Sequence, residues 1–191
     1  MNVWSLPTSL TVGGVGFSIR TDFRVILDLL ANLNDPQFED DEKALIMLKT
    51  IYIDSDKIPQ ENLEEAIEKA VEFIDAGISN DKKNKPSTMD WEQDAPIIIP
   101  AVNRVLGREI RAVESLHWWT FIGAYMEIGQ SLFSSVVQIR EKKAKGKKLE
   151  KDEQEFYRDN KDLIDLHRKG DKLSDEQKDE LRALFGYKKK R

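Results

Sequence analysis

The sequence predicts a mainly α-helical protein: a compact helical domain of about six to seven helices, with an N-terminal β-hairpin and a polar C-terminal helical appendage. Apolar residues recur at helical spacing along most of the 191 residues. Two short alternating runs flank a pair of glycines near the N-terminus, as in a hairpin. The last quarter carries too few apolar residues to form a core alone.

The hairpin is predicted over residues 9–19, where Gly13 and Gly14 supply the positive φ angles of a two-residue turn. These glycines lack the spacing, the following lysine and the immediate helix of a phosphate-binding loop. Thr21 and Asp22 then open the first helix, whose apolar residues fall at helical spacing.

Two more helices are predicted in the N-terminal part. One begins at about Asp40, where four carboxylates over residues 39–42 complement the helix dipole, which is a simpler explanation than cation binding. The next has Pro59 in its first turn and runs to about Ala76. This part of the chain is acidic, with 12 acids and 4 bases over residues 35–72.

Composition divides the chain into four parts. Residues 1–76 hold the hairpin and three helices, and residues 77–90 form a polar linker. Residues 91–145 are apolar central helices that complete the core, and residues 146–191 are polar, charged C-terminal helices.

The central part is predicted to begin with a helix that has Asp94 as its N-cap and Pro96 in its first turn. Pro100 must then kink or restart this helix. Residues 115–129 are apolar on almost every side, which predicts a buried central helix in which Gly123 lets a neighbouring backbone come close. The predicted core consists of Phe23, Leu27, Leu30, Leu48, Leu116, Trp118, Phe121, Ile122 and Tyr125.

The C-terminal part predicts two polar helices, one over about 150–168 and one that begins at Ser174 with a capping box. Residues 140–148 carry a local net charge of +5, and residues 188–191 add +4. Charge segregated in this way is typical of a contact surface, of internal pairing or of head-to-tail self-association.

Composition argues against enzymes that depend on cysteine or histidine chemistry. The chain has no cysteine and two histidines, which excludes disulfides, zinc–thiolate sites, iron–sulfur clusters and a cysteine nucleophile. His117 stands in an apolar stretch and His167 in a charged helix, and no motif supports a catalytic triad. We therefore expect no enzyme activity, catalytic residue, metal site or cofactor.

Membranes and nucleic acids are also unfavoured as partners. No run approaches the roughly 18 apolar residues of a membrane span, and the first residues lack the basic and apolar regions of a signal peptide, so we expect a soluble intracellular protein. The net charge of −5 argues against a nucleic-acid-coating protein. The basic run over 140–148 could contact phosphate, but the aromatic residues lie elsewhere in the sequence.

Three blocks of sequence resemble a known family. They are the hairpin that leads into Thr21–Arg24, the run Asp90–Asp94 that opens the central part, and the run Leu116–Phe121. The last block holds the core signature, which is Leu116, His117, Trp118, Trp119 and Phe121. In this order the blocks resemble the small tail-cluster proteins of tailed phages and prophages of Gram-positive bacteria. Such proteins are encoded next to the tape-measure protein and are regarded as tail-assembly-chaperone-like.

The resemblance implies a tail-assembly chaperone in the bacterial host cytoplasm. It would bind the tape-measure protein, keep its apolar helical segments soluble during tail assembly and leave before the virion is finished. A structural tail component of the virion is the alternative, and a nucleic-acid-binding accessory protein is a further one. The adenine-rich codons of Lys188–Lys190 could form a run on which a ribosome slips, and members of the family are often made in two forms, so we expect a frameshifted longer form, with a solvated basic tail as the alternative.

The partner is expected to bind the second half of the chain. Apolar stripes there are only partly covered by the polar C-terminal segment, so an amphipathic partner helix could lie in a groove between them. The alternative is that these stripes are satisfied internally. The predicted partner-binding residues are Leu132, Phe133, Val136, Val137, Lys142, Lys143, Lys147, Lys148, Phe156 and Leu163.

Overall fold

A β-hairpin and eight α-helices make up most of the regular structure of residues 4–76 and 88–167, which the computed structural model of the chain describes. The predicted mainly helical fold with an N-terminal hairpin is confirmed. Most of the predicted linker (residues 77–87), the helix predicted from Ser174 and the terminal basic run lie outside the described residues. The chain forms two compact units, one with residues 4–76 and 117–119 and one with residues 88–116 and 120–167.

The first unit begins with the hairpin. Strands β1 (Ser9–Val12) and β2 (Val15–Ser18) pair antiparallel, with Leu10 opposite Phe17. Gly13 and Gly14 have φ angles of 56° and 78°, so the turn adopts the left-handed conformation that the sequence predicted.

Three helices complete the first unit, and side chains define where two of them begin. They are α1 (Phe23–Leu33), α2 (Asp40–Ile51) and α3 (Leu63–Ile74). The Asp22 carboxylate accepts the N–H of Arg24 at the start of α1, and Glu39 and Glu42 form a capping box at the start of α2. Pro59 lies before α3 rather than in its first turn, because a short 3₁₀ helix (Gln60–Asn62) intervenes; another 3₁₀ helix (Ser55–Lys57) precedes Pro59.

The second unit contains the central and C-terminal helices. They are α4 (Ala95–Leu106), a 3₁₀ turn (Ile110–Ala112), α5 (Trp118–Met126, whose first two residues group with the first unit), α6 (Leu132–Ala144), α7 (Lys151–Asp159) and α8 (Lys161–Ile164). Helix α4 continues through Pro100 and ends at Gly107, whose φ of 65° is left-handed. The single polar helix predicted over about 150–168 is divided at Asn160 into α7 and α8.

The predicted central helix is shorter and less enclosed than its composition indicated. It spans nine residues rather than 115–129. The prediction that Gly123 admits a neighbouring backbone is wrong, because the residue is exposed and a Cβ built on it would meet nothing within 4 Å. The side that carries Gly123 and Met126 faces solvent. Of the predicted core, Phe23, Leu48, Leu116, Trp118 and Phe121 are buried, whereas Leu27, Leu30, Ile122 and Tyr125 are half-buried.

Candidate functional site

Within the core signature, His117, Trp118 and Trp119 belong to the first unit, where the two indoles contact the end of α3. The indole N–H of Trp118 donates to the carbonyl of Ile74, and that of Trp119 donates to the carbonyl of Phe73, each at 2.8 Å. The last carbonyls of a helix have no partner within the helix, so the two indoles supply donors that α3 itself lacks. Trp118 is 1% exposed. The block is therefore built for internal contacts rather than for a partner.

His117 belongs to the same arrangement through both ring nitrogens. Its Nδ1 accepts the backbone N–H of Trp119 at 3.0 Å, so Nδ1 must carry a lone pair. The proton of the neutral ring then lies on Nε2, which donates to the carbonyl of Pro7 at 2.9 Å. With both nitrogens engaged by backbone, His117 has a structural role and no free nitrogen for acid–base chemistry.

A buried ion pair organises the second unit. Arg140 on α6 and Asp94 before α4 have side chains 5% and 0% exposed, and two hydrogen bonds of 2.6 and 2.8 Å join them. Asp94 occupies the N-cap position of α4, as predicted, but its carboxylate binds Arg140 and makes no capping hydrogen bond to the helix. Arg140 also donates to the carbonyls of Leu163 and Ile164 at 2.9 and 2.5 Å. One guanidinium thus joins α6 to the segment before α4 and to the end of α8.

Two shallow apolar grooves border the first turns of α6. The larger, called groove 1, has a volume of about 350 Å³. It is lined by Tyr125, Met126, Ile128, Phe133, Ser134, Val137, Gln138 and Glu141. The smaller, called groove 2, has about 200 Å³. It is lined by Pro96, Ile97, Pro100, Ala101, Arg104, Ser131 and Leu132.

The grooves present apolar side chains to solvent. Met126 in groove 1 is 56% exposed and Leu132 in groove 2 is 47% exposed. Burial raises the pKa of Tyr125 to about 12, and the negative charge of Asp94 adds to the rise, so the phenol in groove 1 stays neutral. Large exposed apolar residues that share a surface are typical of interaction sites.

The predicted apolar partner residues divide between these grooves and the interior. Leu132 lines groove 2, whereas Phe133 and Val137 line groove 1. Val136 is fully buried and belongs to the core of the unit. Phe156 and Leu163 are half-buried on α7 and α8. The structure therefore brings Leu132, Phe133 and Val137 to neighbouring grooves but not the other three.

The predicted lysines are partly engaged within the chain. Lys142 donates to both carboxylate oxygens of Glu153 at 2.6 and 2.7 Å, and Lys143 donates to Asp165 at 2.5 Å. Lys147 and Lys148 are exposed in the segment between α6 and α7. The charges of Lys142 and Lys143 are thus already matched by carboxylates.

Several residues of this region could not be singled out from the sequence. One feature of the sequence pointed to Arg140. It follows the apolar stripe of α6 at a position that faces inward, where an arginine needs a carboxylate partner. Nothing beyond its apolar character pointed to Met126. Gln93 binds the backbone of residues 165–167, donating to the Asp165 carbonyl and accepting from the His167 N–H at 2.8 and 2.9 Å, and no local pattern predicts such a contact.

Clusters of metal-ligand residues and membrane-spanning helices are both absent from the described part of the chain. Within residues 4–76 and 88–167, no three histidine, aspartate or glutamate side chains come together as a metal site would need. In the same ranges no helix combines the length and apolar character needed to span a bilayer.

Comparison with known proteins identifies the family of the chain. Residues 4–166 match the family model described as Bacteriophage Gp15 protein, and this match covers far more than half of the chain. No curated protein and no solved structure matches the chain. The expectation of a bacteriophage protein is confirmed at this level.

Proposed function

We infer the function from two premises: the chain belongs to the Bacteriophage Gp15 protein family, and apolar grooves border α6. We propose that the protein is a tail-assembly chaperone of a phage or prophage. It binds apolar helical segments of the tape-measure protein in the host cytoplasm and keeps them soluble while the tail is built.

The observation that carries the proposal is the pair of exposed apolar side chains, Met126 and Leu132, in neighbouring grooves. A groove with an apolar floor is the usual receptor for the apolar face of an amphipathic helix. Covering the start of α6 with such a helix costs little desolvation free energy, because the polar groups there already have hydrogen-bond partners. Ser131 and Ser134 exchange backbone-to-hydroxyl hydrogen bonds of 2.9 and 3.0 Å.

Co-expression with the tape-measure protein tests the proposal. We expect wild-type protein to keep the partner in the soluble fraction and Leu132→Lys to leave it in the pellet. Val71→Lys is the matched control, since Val71 is an exposed helical residue of the first unit at 40%. Equal partner solubility with Leu132→Lys and with wild type would place the binding surface elsewhere.

Mass spectrometry of purified virions separates a chaperone from a structural tail component. A chaperone leaves before the particle is complete, so we expect the chain to be absent from virions. Its presence in stoichiometric amount would favour the structural role.

A further inference from the structure

Helices α7 and α8 with residues 165–167, together called the strap, are held on α6 chiefly by polar contacts. No residue of α7 is buried, and α8 buries only Ile164. By contrast, the adjoining face of α6 contributes Arg140, Lys142 and Lys143 to hydrogen bonds with the strap. Apart from Ile164, the larger apolar side chains Phe156 and Leu163 are only half-buried, so release exposes little fully buried apolar surface and the strap belongs to the parts of a protein that open first.

The contacts divide into two kinds. Arg140 donates to the carbonyls of Leu163 and Ile164 at the end of α8, groups that any helix C-terminus offers, and Gln93, which lies outside α6, binds the backbone just beyond it. Lys142 and Lys143 bind carboxylates, and the Lys143 ammonium also lies 3.8 Å from the centre of the Tyr157 ring. This face of α6 therefore recognises an acidic helix together with its C-terminal carbonyls.

The net charges of the strap and of the basic run have opposite signs, in agreement with the ion pairs between them. Residues 150–167 hold seven acids and three bases, a net of −4, and residues 140–148 carry +5. We propose that this basic face of α6 is a receptor for an acidic helix end, occupied by the strap until a tape-measure segment of the same chemistry displaces it; this rests on the function proposed above.

Tethering explains how such an exchange can be controlled. Only residues 145–150 join α6 to α7, so the strap rebinds at an effective concentration of about millimolar. A free segment competes poorly with it. A partner already docked in the grooves along α6 is tethered as well, so it competes with the strap at a similar effective concentration. Groove binding and strap displacement then occur in sequence on one helix.

Acid should weaken the attachment of the strap without any partner. The hydrogen bond from Lys142 holds the pKa of Glu153 below its ordinary 4.5, and that from Lys143 holds the pKa of Asp165 below 3.8. Their stabilising contribution is present above the ordinary pKa values and is lost as the pH falls through the lowered ones. The groups that face these carboxyls are Lys142 and Lys143 of α6, Tyr157 of α7 and Lys161 of α8.

A peptide with the sequence of residues 150–167, added to the full chain, tests the proposal by fluorescence anisotropy. We expect weak binding to wild type and an apparent affinity about fivefold higher for Glu153→Gln, because weakening the strap raises the open fraction. The matched control is Glu155→Gln, since Glu155 pairs with Arg158 inside α7 rather than with α6 in the described structure, and it should bind like wild type.

Amide hydrogen exchange supplies a second measurement on the same proteins. Amides of residues 151–164 should exchange faster than those of 132–144, and faster still in Glu153→Gln. Equal protection of the two segments, or no peptide binding to Glu153→Gln at millimolar concentration, would overturn the proposal. Neither measurement uses the tape-measure protein, so either failure would leave the co-expression result for the grooves intact.

Discussion

Replacing Arg140 by methionine tests whether the buried ion pair holds the second unit together. Methionine keeps much of the length of the side chain but removes every donor. The Asp94 carboxylate, which is fully buried, would lose its counter-charge, and the carbonyls of Thr88, Leu163 and Ile164 would lose a donor.

The expected cost follows from these losses. Removing one partner of a buried, hydrogen-bonded ion pair destabilises a protein by about 3–5 kcal/mol, because a buried charge is left without compensation. With an m-value of about 2 kcal/mol/M, the urea midpoint should fall by about 2 M. Circular dichroism at 222 nm during urea unfolding measures both quantities.

Two further variants separate the ion pair from a general effect of losing an arginine. Arg158→Met removes an arginine whose side chain is 71% exposed and pairs with exposed carboxylates, so it should cost under about 1 kcal/mol. The double variant with Asp94→Leu leaves no unpaired charge and should regain about 2 kcal/mol relative to Arg140→Met alone. Equal midpoints for Arg140→Met and Arg158→Met would refute the reasoning.

Three other predictions concern the hairpin turn, the buried Trp118 and binding to DNA. Gly13→Ala should cost about 1–3 kcal/mol in thermal unfolding, because φ at this position is 56° and a Cβ would collide with a neighbouring side chain, whereas Gly16→Ala should be neutral. Trp118→Ala should cost about 3–5 kcal/mol, and an unchanged melting temperature would contradict its burial. Labelled DNA should not bind at low salt, because the chain has a net charge of −5; strongly salt-dependent binding would contradict this.

Local sequence was sufficient for the elements whose causes are local. The glycine pair required a left-handed turn, Asp22 marked the start of α1, and Glu39 with Glu42 formed the capping box of α2. These features depend on residues within four positions of one another, so a pattern in the chain records them directly.

The residues of the candidate site could be predicted from the sequence only in part, because only local causes leave a local pattern in the chain. Helical spacing selected Leu132 and Val137, which line the grooves. It selected Val136 as well, because an apolar stripe has the same pattern whether a neighbouring helix covers it or solvent does. The apolar composition of residues 115–129 likewise predicted a helix buried on all sides, although Gly123 is exposed to solvent.

Tertiary structure alone decided which polar groups meet. Arg140 pairs with a carboxylate 46 positions away, and the indole of Trp119 donates to a carbonyl 46 positions away. The sequence shows that a charged or polar side chain needs a hydrogen-bonding partner when it is buried. It does not show which of the many carboxylates and carbonyls along the chain is that partner. Chain folding selects one of them by position, and that selection fixes the strap on α6 and the indoles at the end of α3.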